Sequence, residues 1–190
     1  MKPTLLLATI LLFSFTADKE ILSTYKTNAA ASTMKILGTS TLHDWEMKAV
    51  DLQGTLDVDV YQESLKINEL KLTVPVEALR SGKSAMDNNA YKALKEKDHP
   101  NIRYELVSVS EMEKVSAGKF KMLSRGKLTV AGNTRILKVP IEVLVKNDGI
   151  AFSGSTTFNM SSFDVEAPSF MMGAVTTGDK ITINFTINYN

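Results

Sequence analysis

The chain contains no cysteine. That single absence excludes disulfides, thiol nucleophiles, cysteine-ligated zinc and iron–sulfur clusters, and a lipid-modified N-terminal cysteine. Only two histidines occur in 190 residues, which removes most histidine-rich metal centres. An excess of one charge sign is missing too, with 22 Lys+Arg against 21 Asp+Glu. Phosphate backbones are gripped by basic surfaces, so nucleic acid is not an expected partner. No apolar run reaches the ~20 residues a spanning helix needs. Internal repeats, low-complexity linkers and a second-domain boundary are absent as well. What remains is an ordinary globular balance, 44% hydrophobic and 23% charged, in one domain's length of chain.

The N-terminus reads as an export signal. Lys2 supplies a short positive start, and Leu5 to Phe15 is apolar except for Thr9 and Ser14. Such a run suits a signal-peptide core and is too short to span a bilayer. Cleavage is expected after Ala17, although Phe15 is larger than the usual residue at minus three. A cut within Ala29-Ala30-Ala31 fits the small-residue rule better but lies far from the apolar run. The other reading is an uncleaved N-terminal anchor. The expected division is a signal peptide at 1–17, an N-terminal extension at 18–31 and a β-domain at 32–190. Removing residues 1–17 takes away one lysine and leaves a neutral chain of 173 residues.

Past residue 31 the dominant hydrophobic period is two. Ile181, Ile183, Phe185, Ile187 and Tyr189 alternate without a break against polar residues. Leu137, Val139, Ile141, Val143 and Val145 do the same, as do Leu56, Val58 and Val60. Each run is a strand with one buried and one wet face. Weaker runs lie at 34–37, 102–109, 120–130 and 150–160. Parity switches between Ile67 and Leu70, which calls for a β-bulge or sharp bend. Pro140 sits inside a strand and is expected at an edge or bulge, because it cannot donate to a ladder. Only Ser84 to Lys97 breaks the rule. Met86, Ala90 and Leu94 recur every four residues there, Ser84 and Asp87 form a candidate N-cap pair, and Pro100 follows. About eight strands and one helix leave two architectures open, a sandwich with a solid core or a barrel that can hold an elongated ligand.

Specific blocks point to a family. Gly38-Thr39-Ser40-Thr41-Leu42-His43-Asp44-Trp45 resembles the opening signature of the YceI-like family, in its Ser-Thr-Leu-His-Asp-Trp branch. Val74-Pro75-Val76, Leu79-Arg80-Ser81-Gly82, Met86-Asp87, Tyr91 to Lys95 and His99 to Ile102 resemble its middle block. Gly126 to Gly132 and Pro168 to Gly173 resemble later blocks. The resemblance runs from about Ser32 to Tyr189. It implies an all-β fold, an antiparallel lipocalin-like eight-stranded β-barrel with a short inserted α-helix, in the bacterial periplasm or secreted. It also implies an elongated apolar interior holding a polyisoprenoid, either an isoprenoid quinone or a prenyl phosphate. Two departures concern the head group. Met86 stands where many members carry an arginine before the helix aspartate, and Met160-Ser161-Ser162-Phe163-Asp164 replaces an arginine-bearing stretch.

The candidate ligand-binding residues are His43, Trp45, Phe152, Phe158, Met160, Phe170, Met171 and Met172. Flexible thioethers and aromatics suit a cavity for a pliable chain, and they equally suit plain core packing. Arg80, Lys83, Lys92 and Lys95 are available for a charged head group near the helix, or else form its solvated face. His43 beside Asp44 suggests a general base with its orienter, but neighbours on a strand point to opposite faces, and no nucleophile elbow is present. His43, His99, Asp44 and Asp98 could ligate a metal, yet nothing in their spacing brings them together. The plain alternative has Thr41, His43 and Asp44 tying a turn while Trp45 plugs a barrel end. The expectation is therefore a non-enzymatic lipid binder without cofactor. Its partner is an isoprenoid lipid or quinone, with no integral membrane segment after cleavage and a homodimer compatible with the sequence. The rivals are a scaffold or interaction barrel with a filled core, and a small hydrolase using His43 and Asp44.

Overall fold

The computed structural model describes residues 22–61, 64–170 and 174–190. The expected signal peptide, and Met171 and Met172, lie outside the described residues. The strands are β1 (Leu22–Lys26), β2 (Thr33–Ser40), β3 (Trp45–Ala49), β4 (Gln53–Tyr61), β5 (Ser64–Pro75) and β6 (Leu79–Arg80). They continue as β7 (Asn101–Ser116), β8 (Lys119–Val130), β9 (Asn133–Lys146), β10 (Gly149–Asn159), β11 (Ser169–Phe170) and β12 (Val175–Tyr189). Helix α1 (Ser84–Ala93) is inserted between β6 and β7.

These twelve strands reduce to eight staves. β1 runs on into β2, β3 into β4 and β5 into β6, and both parts of each pair with the same neighbouring stave. β11 is a two-residue spur on β12. Every pairing is antiparallel, and the path from β4 through β5, β7, β8, β9 and β10 ends at β12. The first stave then pairs with the last. β2 runs against β12, and beyond it Lys26 and Asn190 exchange backbone hydrogen bonds of 3.1 and 3.0 Å. The expected eight-stranded barrel is what forms, with three staves broken. Its first stave already begins at Leu22, upstream of the boundary expected at Ser32.

Local chemistry explains the irregularities. On β5, Glu69 faces Asp57 and Ile67 faces Val58, so Asn68 is the extra residue of the bulge that the parity switch required. Pro140 pairs with Leu123 on the β8 side, whereas the β9–β10 ladder stops one step away at Ile141–Gly154. The proline is thus tolerated in an interior strand where its second neighbour has peeled away. Ala131 and Gly132, with φ of 48° and 82°, make the two-residue turn from β8 to β9. Paired positive φ values match the right-handed twist of a hairpin. The helix ends at Ala93, short of the expected Lys97, and residues 94–98 form turns. The Ser84–Asp87 cap does not form. Asp87 is buried instead, and its carboxylate accepts from the Ser81 amide at 2.7 Å and the Ser81 hydroxyl at 2.6 Å.

The barrel is solid at one end. Leu56 and Val58 are fully buried there beside Val143, Ile150, Phe152 and Tyr189, with Phe152 and Tyr189 in edge-to-face contact at 5.6 Å. Outside, polar ladders such as Thr157–Thr182 and Ser155–Asn184 face away from this core. The Tyr104 hydroxyl donates to Ser124 at 3.1 Å, and Ser124 donates to the Val139 carbonyl at 2.9 Å. Burial pushes both the Tyr104 and Tyr189 phenols above the ordinary range for tyrosine. The unfolded chain loses those protons above about pH 10 while the folded barrel keeps them. Stability contributed by the neutral phenols is therefore intact below pH 10 and falls as pH rises further. The slope steepens toward an upper limit of about 1.4 kcal/mol per pH unit for a tyrosine that stays neutral in the folded state. Urea titrations between pH 9 and 11 check this, and Tyr189→Phe should flatten the slope.

Candidate functional site

The other half of the barrel is hollow. An outer chamber of about 420 Å³ opens beneath α1 and the β2–β3 turn. That volume lies in the usual ~300–1,000 Å³ range of small-molecule sites. The alternation on β12 builds its wall, because Ile181 and Ile183 line this chamber while Ile183, Phe185, Ile187 and Tyr189 line a second one deeper in. The inner chamber measures about 110 Å³, and Phe152 and Tyr189 lie among its lining residues, where the solid end begins. The chambers share Met34, Val74, Ile102, Leu128 and Ile183, which come from five staves.

Each element contributes for a traceable reason. Met86 and Ala90 in α1, with Leu94 just past its end, face the barrel, so the helix lies across the cavity as an apolar cover. Its preceding turn is fixed by Asp87, as described. Tyr91 anchors the helix by donating to the Leu79 carbonyl at 2.8 Å, and Arg80 donates to its hydroxyl at 2.8 Å with the guanidinium over the ring. Trp45 lies flat across β2 because Gly38 opposite has no side chain. A Cβ at Gly38 would fall 2.2 Å from the indole. The indole N–H donates to the Thr39 carbonyl at 2.9 Å. The far wall is the short helical turn Met160–Phe163, where Phe158 and Phe163 meet edge to face at 5.1 Å. Asp179 holds that turn by accepting from the Ser161 amide and hydroxyl at 2.8 and 2.6 Å, which keeps its carboxyl below the usual carboxylate range.

The expected site residues divide. His43, Trp45, Phe158 and Met160 come together on the outer chamber. Phe152 lies apart from them, 2% exposed among the inner-chamber lining. Phe170 ends β11, and Met171 and Met172 fall outside the described residues. Of the four candidate cations, Lys83 lines the chamber, whereas Arg80 is engaged with Tyr91. Residue typing missed Met34, Ile36, Met47, Leu79 and Ala90, whose place in the chamber was legible only as strand alternation or helical repeat.

The mouth offers few polar groups, namely Ser40, His43, Lys83 and Thr177. Ser40 closes the β2–β3 turn on itself, while Thr41 ties it to β12, its hydroxyl accepting from the Thr176 amide at 3.2 Å. The Ser40 hydroxyl donates to the His43 carbonyl at 2.8 Å and accepts from the His43 amide at 3.2 Å. The His43 ring meets the Asp44 backbone carbonyl at 2.7 Å, so the Asp44 carboxylate does not orient it. No group of three His, Asp or Glu able to hold a metal occurs among the described residues. Leu42, 70% exposed, projects at the rim.

Known proteins match this architecture. The chain resembles Burkholderia cenocepacia BcnA at 17% identity and a TM-score of 0.66, over 85% of this chain and 98% of that one. It also resembles a polyisoprenoid-binding domain from Saccharophagus degradans, described as implicated in plant cell wall breakdown. There the identity is 11% and the TM-score 0.64, covering 87% of this chain and 97% of that one. A Campylobacter jejuni YCEI protein follows at 22% identity and 0.54, covering 73% and 80%. At such identities the likeness concerns the fold. No curated protein matches the sequence significantly. The family model of the YceI-like domain matches residues 25–189, nearly the whole barrel just described, and on that match the chain belongs to the YceI-like family.

Proposed function

We propose that this protein binds a long isoprenoid, holding the chain in the two chambers and the head group at the mouth, without chemical turnover. The observation that carries the reading is the half-hollow barrel, whose outer chamber is lined almost entirely by carbon. Burying one methylene contributes about 0.8 kcal/mol, so a chain of about twenty buried carbons grosses about 16 kcal/mol against an association cost of about 4–15 kcal/mol. A filled scaffold would have no use for the space under α1. Met86 and Met160 stand at the departures from the arginine-bearing pattern, and both line the chamber. Among the described residues, Lys83 is the one cationic side chain in that lining. This favours a neutral head group such as a quinone over a prenyl phosphate. His43, bonded to a backbone carbonyl, serves as a rim hydrogen-bonding group in this reading and not as a base.

Export to the periplasm completes the proposal, with cleavage after Ala17. A cut within Ala29-Ala30-Ala31 would remove β1, which pairs with β4 along its length. Purification from a bacterial host, solvent extraction and mass spectrometry test the reading. Recovery of one prenylated molecule per chain is the expected result, and a prenyl phosphate in place of a quinone would correct the head group alone. An empty extract, with no binding after delipidation and challenge by quinones, would move the protein to the scaffold reading.

A further inference from the structure

We infer that the five residues shared by the two chambers form a constriction that selects the length of the bound chain. This rests on the lipid-binding reading and adds to it a specificity-determining ring. Met34 on β2 and Ile183 on β12 come from adjacent staves, and Val74, Ile102 and Leu128 come from β5, β7 and β8 on the opposite wall. All five are apolar, and three are branched at Cβ, which limits the ways they can swing aside. Val74 and Ile102 are direct cross-strand partners, so that side of the ring is braced by the sheet itself.

Beyond the ring the space is small and its end is fixed. The inner chamber offers about 110 Å³ against about 420 Å³ outside. Phe152 and Tyr189 in edge-to-face contact bound it, with the fully buried Ile150 behind them. Tyr104 is held in its wall by the bond to Ser124, and its ring covers Gly126, where a Cβ would fall 2.2 Å from the ring. Apart from Tyr104, Thr156 and Tyr189 the inner lining is apolar, so it does not suit a charged head group. The chain must enter tail first, pass the ring and stop against Phe152 and Tyr189. A chain that ends short of the ring leaves the inner chamber empty, and one that overreaches leaves carbons outside the mouth.

Straight-chain primary alcohols from eight to twenty carbons serve as probes, titrated calorimetrically into the delipidated protein. Each added methylene should strengthen binding by up to about fourfold until the tail reaches the end, after which affinity levels off. Narrowing the ring with Ile102→Phe should bring the plateau several carbons earlier while the shortest alcohols bind as before. Opening it with Ile183→Ala should lower the penalty for passing and raise affinity for the longest alcohols relative to the shortest. Circular dichroism confirms that each variant is folded, and Val74→Phe replaces Ile102→Phe if that variant is not. A plateau that stays at the wild-type length in the folded Ile102→Phe or Val74→Phe variant would overturn the ring while leaving lipid binding intact. Absence of binding for every alcohol and every quinone would overturn the underlying reading instead.

Discussion

Replacing Ala90 with tryptophan should abolish most lipid binding while leaving the barrel as stable as before or more so. Ala90 faces the outer chamber from the middle of α1, between Met86 and Leu94. An indole projecting from that position occupies space otherwise available to about four methylenes, and at ~0.8 kcal/mol each the loss is about 200-fold in affinity. The helix gives up about 0.5 kcal/mol in propensity. Filling a void with apolar surface returns about 0.5–2 kcal/mol, so the melting temperature should hold or rise. Calorimetric titration with a sixteen-carbon alcohol, run beside a thermal melt, reads both quantities. Unchanged affinity would mean that the ligand lies elsewhere. Lost affinity together with lost stability would mean that the helix, and not the chamber, had been damaged.

The opposite pattern is expected deep in the barrel. Phe152→Ala should cost about 3–5 kcal/mol, the usual price of a large aromatic removed from a packed site. Phe152 is 2% exposed and meets Tyr189 edge to face, so its removal strips contacts on all sides but the one that lines the small inner chamber, and merges the resulting void with it. Against a total stability of about 5–15 kcal/mol, that is a severe loss. Phe152→Met, which keeps most of the volume, should cost at most about 1.5 kcal/mol. Phe158→Ala should cost less than Phe152→Ala, because Phe158 lines the hollow chamber and already lacks neighbours on that side. Urea denaturation of the three variants checks the order. Equal losses at positions 152 and 158 would contradict the division into a solid end and a hollow end.

That division also marks where residue typing fails. Phe152 and Phe158 lie six residues apart on one strand, point to the same interior and share a side chain. One is core and the other is wall. Alternation fixes which way each points, and nothing local says how far along the barrel axis the packing stops. The same holds for the cations near α1. Arg80 and Lys83 look equivalent in sequence, yet Arg80 stacks on Tyr91 and Lys83 reaches the chamber. Guanidinium and ring meet only because β6 and the third turn of the helix are brought side by side.

Local patterns in the chain already carried the antiparallel β architecture, a bulge or bend between Ile67 and Leu70, the inserted helix and the family. Each of these depends on interactions between near neighbours or on a motif carried in a short stretch. Period-two alternation is a property of a single strand, and the parity switch around Asn68 is visible wherever one face must stay buried. Tertiary structure decided between sandwich and barrel, because closure depends on Lys26 meeting Asn190 at opposite ends of the chain. It decided as well that one end of the interior is solid, and that five residues from five staves line both chambers of the rest. A cavity is the space left when distant side chains fail to meet, and no single stretch of chain encodes it.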